Sequence, residues 1–216
     1  MWLGARPPRD DKVLDPSQAR DFLNGPIVVE EKVDGTNLGI SLDREGRLQA
    51  QSRGEFVKPG GHPQFGPLWQ WLAEHNQTLG PALGGRLVLF GEWCFAVHTV
   101  QYSRLPDWLL AFDVFDRMKG SFWSTELRDR WLSQLNIAGV PELAKGEFSL
   151  AELKTFLEEN SRLGEAPMEG LYLRREEGQR LRIRAKLVRP DFVETIDQHW
   201  SARSLTRNRR AKPSFR

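Results

Sequence analysis

Cysteine is nearly absent from this chain: Cys94 is the only one in 216 residues. That excludes an intramolecular disulfide and a cysteine-rich zinc site. Long apolar runs are missing as well, since no stretch approaches the ~20 residues that a membrane-crossing helix needs. The first eight residues, Met1 to Pro8, lack the apolar stretch of a secretory signal. A cytoplasmic enzyme is the expectation. No glycine-rich Walker loop is present, so phosphate would be held by side chains and not by a backbone cradle. No internal repeat or low-complexity linker stands out. A large charge of one sign is also lacking: the net charge is +2, which by itself says little about nucleic acid.

What is present fits one large or two small domains. Hydrophobic residues make up 39% and there are eight tryptophans, enough for a sizeable core. The charge is unevenly spread. Residues 201–216 carry Arg203, Arg207, Arg209, Arg210, Lys212 and Arg216 with no acid among them. Such a run reads equally as a phosphate-contacting tail and as a solvated terminus. The organisation expected is a domain over residues 1–200 followed by a basic tail over 201–216.

Residues 30–37 read Glu-Glu-Lys-Val-Asp-Gly-Thr-Asn after the apolar run Ile27-Val28-Val29. A β-branched run ended by charge and then glycine is a strand followed by a turn. Lys32 therefore sits where a strand leaves the core, between carboxylates. A lysine so held is a candidate covalent nucleophile, provided its amine loses a proton. Nearby cations or a metal would lower its pKa, and the adjacent acids can hold that metal. The octet taken alone also fits a surface lysine in an acidic turn.

Hairpins and separate helices alternate along the chain. Residues 38–42 and 48–52 flank the turn Asp43-Arg44-Glu45-Gly46. Residues 65–75 read as a helix with Leu68, Trp69 and Leu72 on one face. Residues 86–92 and 109–115 read as buried strands. Ser124 caps a helix carrying Leu127, Trp131 and Leu135, and Ser149 to Glu152 is a capping box with Leu153, Phe156 and Leu157 as its stripe. Residues 170–174 and 181–186 make a second hairpin around Glu176-Glu177-Gly178-Gln179. Pro190 opens a last helix through His199. This mixture argues α+β and not a doubly wound parallel sheet. Alternation in the last strand puts Arg182, Arg184 and Lys186 on a basic front and Leu181, Ile183 and Ala185 on an apolar back. A basic front beside a nucleophilic lysine is suited to triphosphate chemistry.

Lys32-x-Asp34-Gly35-Thr36-Asn37 resembles the nucleophile motif of the covalent nucleotidyltransferases, the polynucleotide ligases and mRNA capping enzymes. Further stretches resemble that superfamily's other motifs in the expected order. These are Ser52-Arg53-Gly54, Leu89-Phe90-Gly91-Glu92-Trp93, the nucleobase-stacking stretch Ala111 to Asp116, Glu169-Gly170-Leu171-Tyr172 and Arg184-Ala185-Lys186. The resemblance runs from about Val28 to Lys186. It implies an antiparallel-sheet nucleotidyltransferase fold, the ATP-grasp-like ligase catalytic fold.

The same resemblance implies roles. Lys32 would attack the α-phosphorus of ATP. Asp34, Glu92 and Glu169 would help place the ribose and a Mg2+ ion, or Mn2+ in its stead. Phe112 would cover one face of adenine, Glu31 would lie near the base edge, and Arg53 would contact phosphate. Arg184 and Lys186 match the two basic positions of the last motif, although the first is more often lysine, and arginine changes the donor geometry. No role is assigned to His98 or Tyr102 beyond core or loop packing.

Asn37 separates the branches. DNA ligases and capping enzymes usually carry arginine there, whereas nick-sealing and RNA-editing RNA ligases carry asparagine. The chain therefore resembles an ATP-dependent RNA ligase of that type. Residues 102–108, leading into the stacking strand, are similar to small bacterial members. Asp34 departs from several of those enzymes, which have histidine. Only 30 residues follow Lys186, so the expectation is a nearly bare catalytic domain without an OB-fold domain. RNA ends would be its substrate, gripped by the tail or by a partner protein. A DNA-sealing ligase, another adenylyl- or guanylyltransferase, and an idle nucleotide- or RNA-binding module remain the competing readings.

Overall fold

The structure is a computed structural model that describes residues 13–52, 54–190, 192 and 205–212. The expected helix from Pro190 through His199 falls almost wholly outside them, as do Arg53, Arg203 and Arg216. Helix α1 (Pro16–Leu23) opens on an Asp15 capping box with Gln18. Strands β1 (Ile27–Lys32), β2 (Thr36–Leu42), β3 (Leu48–Ser52) and β4 (Glu55–Phe56) follow. After a single 3₁₀ turn at Pro63–Phe65 come α2 (Leu68–Leu83), β5 (Leu87–Trp93), β6 (Leu109–Asp116), β7 (Ser121–Phe122), α3 (Thr125–Gln134), β8 (Glu142–Gly146), α4 (Leu150–Phe156), β9 (Gly170–Glu177) and β10 (Arg180–Val188).

The strands form two antiparallel sheets, one in the order β10-β9-β1-β8 and the other β4-β3-β2-β5-β6-β7. The α+β, antiparallel reading therefore holds. In the four-stranded sheet, Ile27, Val29, Leu171, Leu173 and Leu187 pack on Phe22 of α1 and Leu153 of α4. In the six-stranded sheet, Leu38, Ile40 and Leu89 pack on Leu68, Trp71, Leu72, Leu79 and Leu83 of α2. That helix runs eight residues past its expected end because Leu79 and Leu83 continue its buried stripe. Charged and aromatic side chains from both sheets line one cavity between them. The chain crosses from one sheet to the other at residues 33–35, between β1 and β2.

Two elements depart from the sequence pattern. In β10 the pairing shifts between Leu181 and Ile183. A bulge of this kind inserts one residue and breaks the alternation. Arg182 and Ile183 consequently line a surface groove with Arg175 and Glu177, while Arg184 and Lys186 face the space between the sheets. The apolar back is thus incomplete, with Ile183 47% exposed. In α3, Ser124 caps the helix as expected, but the fully buried side chains are Thr125, Arg128 and Leu132. Trp131 and Leu135 are only partly covered.

Residues 205–212 lie in the stretch read as a basic tail. They run extended along residues 95–105, with isolated bridges from Arg207 to Ala96 and from Arg210 to Leu105. Among the described residues no helix is long and apolar enough to cross a membrane.

Candidate active site

Strand pairing assembles a cavity from residues far apart in sequence. Lys32 ends β1 and pairs with Gly170 at the start of β9. Glu169 is thereby brought beside it, with Lys32 Nζ 2.5 Å from Glu169 Oε1. Gly170 has no space for a side chain, because a Cβ would run into the Leu187 carbonyl of β10. On the facing sheet Asn37 pairs with Glu92, and Glu92 Oε1 accepts the Gly35 N–H at 3.0 Å. A Cβ on Gly35 would stand 2.6 Å from the Trp93 carbonyl, so only glycine lets the crossing lie this close to β5.

The cavity holds about 740 Å³. One sheet contributes Glu30, Lys32, Tyr172, Arg184 and Lys186, and the other Asn37, Phe90, Glu92, Phe112 and Phe122. Of the residues singled out from the sequence, Glu31, Lys32, Asn37, Glu92, Phe112, Arg184 and Lys186 line it, and Glu169 joins through Lys32. Arg53 lies outside the described residues. Asp34 is held by the distant loop after β5: its Oδ2 accepts the Thr99 and Val100 amides at 2.6 and 2.8 Å, and its N–H donates to the Tyr102 hydroxyl at 2.7 Å. Glu31 turns both oxygens to one loop, accepting from Ser161 Oγ at 2.5 Å and from the Arg162 amide at 2.9 Å. It lines the cavity wall with both oxygens hydrogen-bonded to that loop.

Burial first, and then the neighbouring charges, set the charge states. Burial pushes the Glu92 carboxyl up to about 8, with Lys32 opposing and Glu169 and Asp34 reinforcing the shift. Burial likewise raises Glu169, again against the pull of Lys32. Burial alone would lower Lys32, but Glu169, followed by Glu92 and Asp34, raises it, so the amine is held as an ammonium. Glu169 Oε2 is buried without a hydrogen-bond partner. A buried, unpaired oxygen beside a second raised carboxyl suits a cation. Among the described residues no three acidic, histidine or cysteine side chains converge as a metal cage. The donor set fits a magnesium-type ion, which keeps most of its waters and takes few direct carboxylates.

A buried ionic network beneath the cavity has no counterpart in the sequence reading. Arg128 of α3 meets Glu30 at 2.6 Å and the Phe112 carbonyl at 2.6 Å. Arg174 of β9 meets Asp113 of β6 at 2.7 Å. The other Asp113 oxygen accepts from Arg184 Nη1 at 2.5 Å, and the Arg184 guanidinium lies 4.6 Å over the Phe122 ring. Charged residues alternating with Leu171, Leu173 and Phe112 inside strands were the available signal. Tyr102 is fully buried, and His98 Nε2 lies 3.4 Å from Thr36 Oγ1 and 3.2 Å from Gln64 Oε1.

The RNA ligase family model matches residues 25–188. No curated protein matches the sequence. Among solved structures, the Naegleria gruberi RNA ligase with PPi is 18% identical with a TM-score of 0.66, covering 85% of this chain and 55% of that one. The same ligase as a lysine-to-alanine mutant with ATP and Mn is 18% identical with a TM-score of 0.64, covering 83% and 54%. As a lysine-to-methionine mutant with AMP and Mn it is 19% identical with a TM-score of 0.60, covering 83% and 54%. The present chain spans about half the length of these ligases. The family match over residues 25–188 spans well over half of the sequence: the chain belongs to the RNA ligase family.

Proposed function

We propose that this chain is an ATP-dependent RNA ligase that joins RNA 3′-OH and 5′-phosphate ends through a lysyl-AMP intermediate. The observation that carries the reading is Lys32 Nζ at 2.5 Å from Glu169 Oε1, in a cavity that also presents Arg184, Lys186 and Phe112. Family membership over residues 25–188 supports it, as do the ATP, AMP and Mn of the Naegleria structures.

Phe112 offers a ring for one face of adenine, and Arg184 and Lys186 lie on the strand that faces the phosphates. Glu169 takes the ammonium proton of Lys32 at Oε1. The freed amine attacks the α-phosphorus, forming the N–P bond as the bond to pyrophosphate breaks. Arg184 and Lys186 oppose the charge that develops on the phosphate oxygens. AMP then passes to the 5′-phosphate of an RNA end, and the 3′-hydroxyl of the other end displaces it. Covalent catalysis divides one hard condensation into easier displacements. Glu169 and Glu92, with Asp34 behind them, would hold a Mg2+ or Mn2+ ion, which when bound neutralises phosphate charge and favours the free amine. Asn37, at the cavity edge, favours RNA over DNA strands. The setting is cytoplasmic.

The test is intact mass after incubation with ATP, magnesium and pyrophosphatase, with the starting protein measured alongside. Wild type gains one AMP and Lys32→Ala gains none. An equal gain in the mutant removes Lys32 as nucleophile, and no gain in a folded, initially unadenylylated wild type refutes the ligase reading.

A further inference from the structure

Residues 207–212 carry Arg207, Arg209, Arg210 and Lys212 without an acid. In a free chain end such cations sample many directions. Here the backbone is fixed on both sides. Val97 N donates to the Thr206 carbonyl at 2.9 Å and Asn208 N to Phe95 at 3.0 Å. Arg209 N donates to Tyr102 at 2.9 Å, and Leu105 N and Ala211 N close the other side at 3.0 and 2.8 Å.

Asn208 is the pin. Its buried amide nitrogen donates to the Cys94 and Ala96 carbonyls at 2.8 and 3.1 Å, and its oxygen accepts from Tyr102 N at 2.7 Å. With Asn208 turned inward, Arg207, Arg209, Arg210 and Lys212 are exposed. Two of them lie against rings: the Arg207 guanidinium 5.3 Å over Phe95 and that of Arg210 5.2 Å over Trp108. Arg210 also stands 3.9 Å from Asp107. The loop so gripped is the one whose Thr99 and Val100 amides hold Asp34, two residues past Lys32.

We propose that residues 205–212 form a docking ridge for the phosphate backbone of RNA, beside the loop that holds Asp34; the inference rests on the ligase reading above. Guanidinium groups on a held backbone, two of them against rings, lose less freedom when phosphate arrives than those of a free tail. Each fork matches phosphate oxygens through paired N–H donors. Phosphate contacts set position and register without reading bases, as an enzyme that seals ends of varied sequence requires.

The test is fluorescence anisotropy of a labelled, nicked RNA duplex carrying a 5′-phosphate, measured across a salt series without ATP. Wild type is compared with Arg207→Ala/Arg209→Ala/Arg210→Ala. The expected result is an affinity loss of about tenfold or more and a slope of log K against log salt smaller by about 2–3, since each lost contact removes about 0.9. Lysyl-AMP formation from ATP without RNA, read by intact mass, stays as in wild type, because these side chains do not line the cavity. Unchanged affinity and slope overturn the proposal and assign the ridge to an acidic protein partner. Lost lysyl-AMP formation in the variant also overturns it, because the segment would then be a brace for the 94–105 loop. If wild type forms no lysyl-AMP yet the RNA slope falls in the variant, the ridge stands and the ligase reading fails.

Discussion

The hydroxyl of Tyr102 serves one backbone amide, that of Asp34, at 2.7 Å. Its ring is fully buried, so bulk water cannot stand in for a lost acceptor. Tyr102→Phe keeps the ring and strands the Asp34 N–H, which costs about 1–3 kcal/mol. The expected outcome is a lower urea midpoint at an unchanged slope and several-fold slower lysyl-AMP formation, because the crossing at residues 33–35 follows directly on Lys32. A midpoint equal to wild type would show that this amide finds another acceptor. Residue identity told that Tyr102 packs, and it is buried as expected. It could not tell which of many amides the hydroxyl meets, because that partner is 68 positions away. Asn208 is harder still. A lone amide in a basic run looks like any solvated polar residue until the three backbone groups around it are seen.

Elements were most legible where local chemistry fixes them. Ser149 and Glu152 close their capping box, and the 43–46 turn joins β2 to β3 as the pattern required. The bulge in β10 left no trace in composition, so strict alternation misassigned Arg182 while placing Arg184 and Lys186 correctly. The end of β6 offers a test in acid. Asp116 is fully buried, accepts Arg86 Nε at 2.9 Å, and also takes the Met118 and Lys119 amides. The Arg86 hydrogen bond, opposed by desolvation and then aided by the amides, holds its carboxyl well below the usual range. A carboxylate depressed by folding stabilises above its unfolded pKa, about 3.9, and that contribution fades as pH falls toward the folded value. Asp116→Asn is therefore less stable than wild type at neutral pH, and the gap narrows below about pH 4. Urea midpoints across pH check this. A gap independent of pH would mean that the charge on Asp116 contributes nothing.

At the scale of the molecule, two sheets with separate cores must keep their inner faces at a working distance. The network beneath the cavity does this. Arg174 belongs to the four-stranded sheet and Asp113 to the six-stranded one, while Arg128 ties Glu30 to the Phe112 carbonyl across the same gap. The motif residues above it were legible because each sits in a short, recognisable string. The network was not, because its members are 30, 113, 128 and 174 in the chain and meet only after both sheets have formed. Arg174 and Asp113 are 0% and 1% exposed, so removing the cation leaves Asp113 with Arg184 as its remaining partner, at a cost of up to about 3–5 kcal/mol. Arg174→Met is expected to lose that much stability by denaturant titration, and to lose lysyl-AMP formation as the faces drift. Adding Asp113→Asn to it removes a buried carboxylate that has lost one of its two cations and should restore part of the stability. A double variant no more stable than Arg174→Met would show that the loss comes from packing around the long side chain and that Arg174 does not link the sheets through its charge.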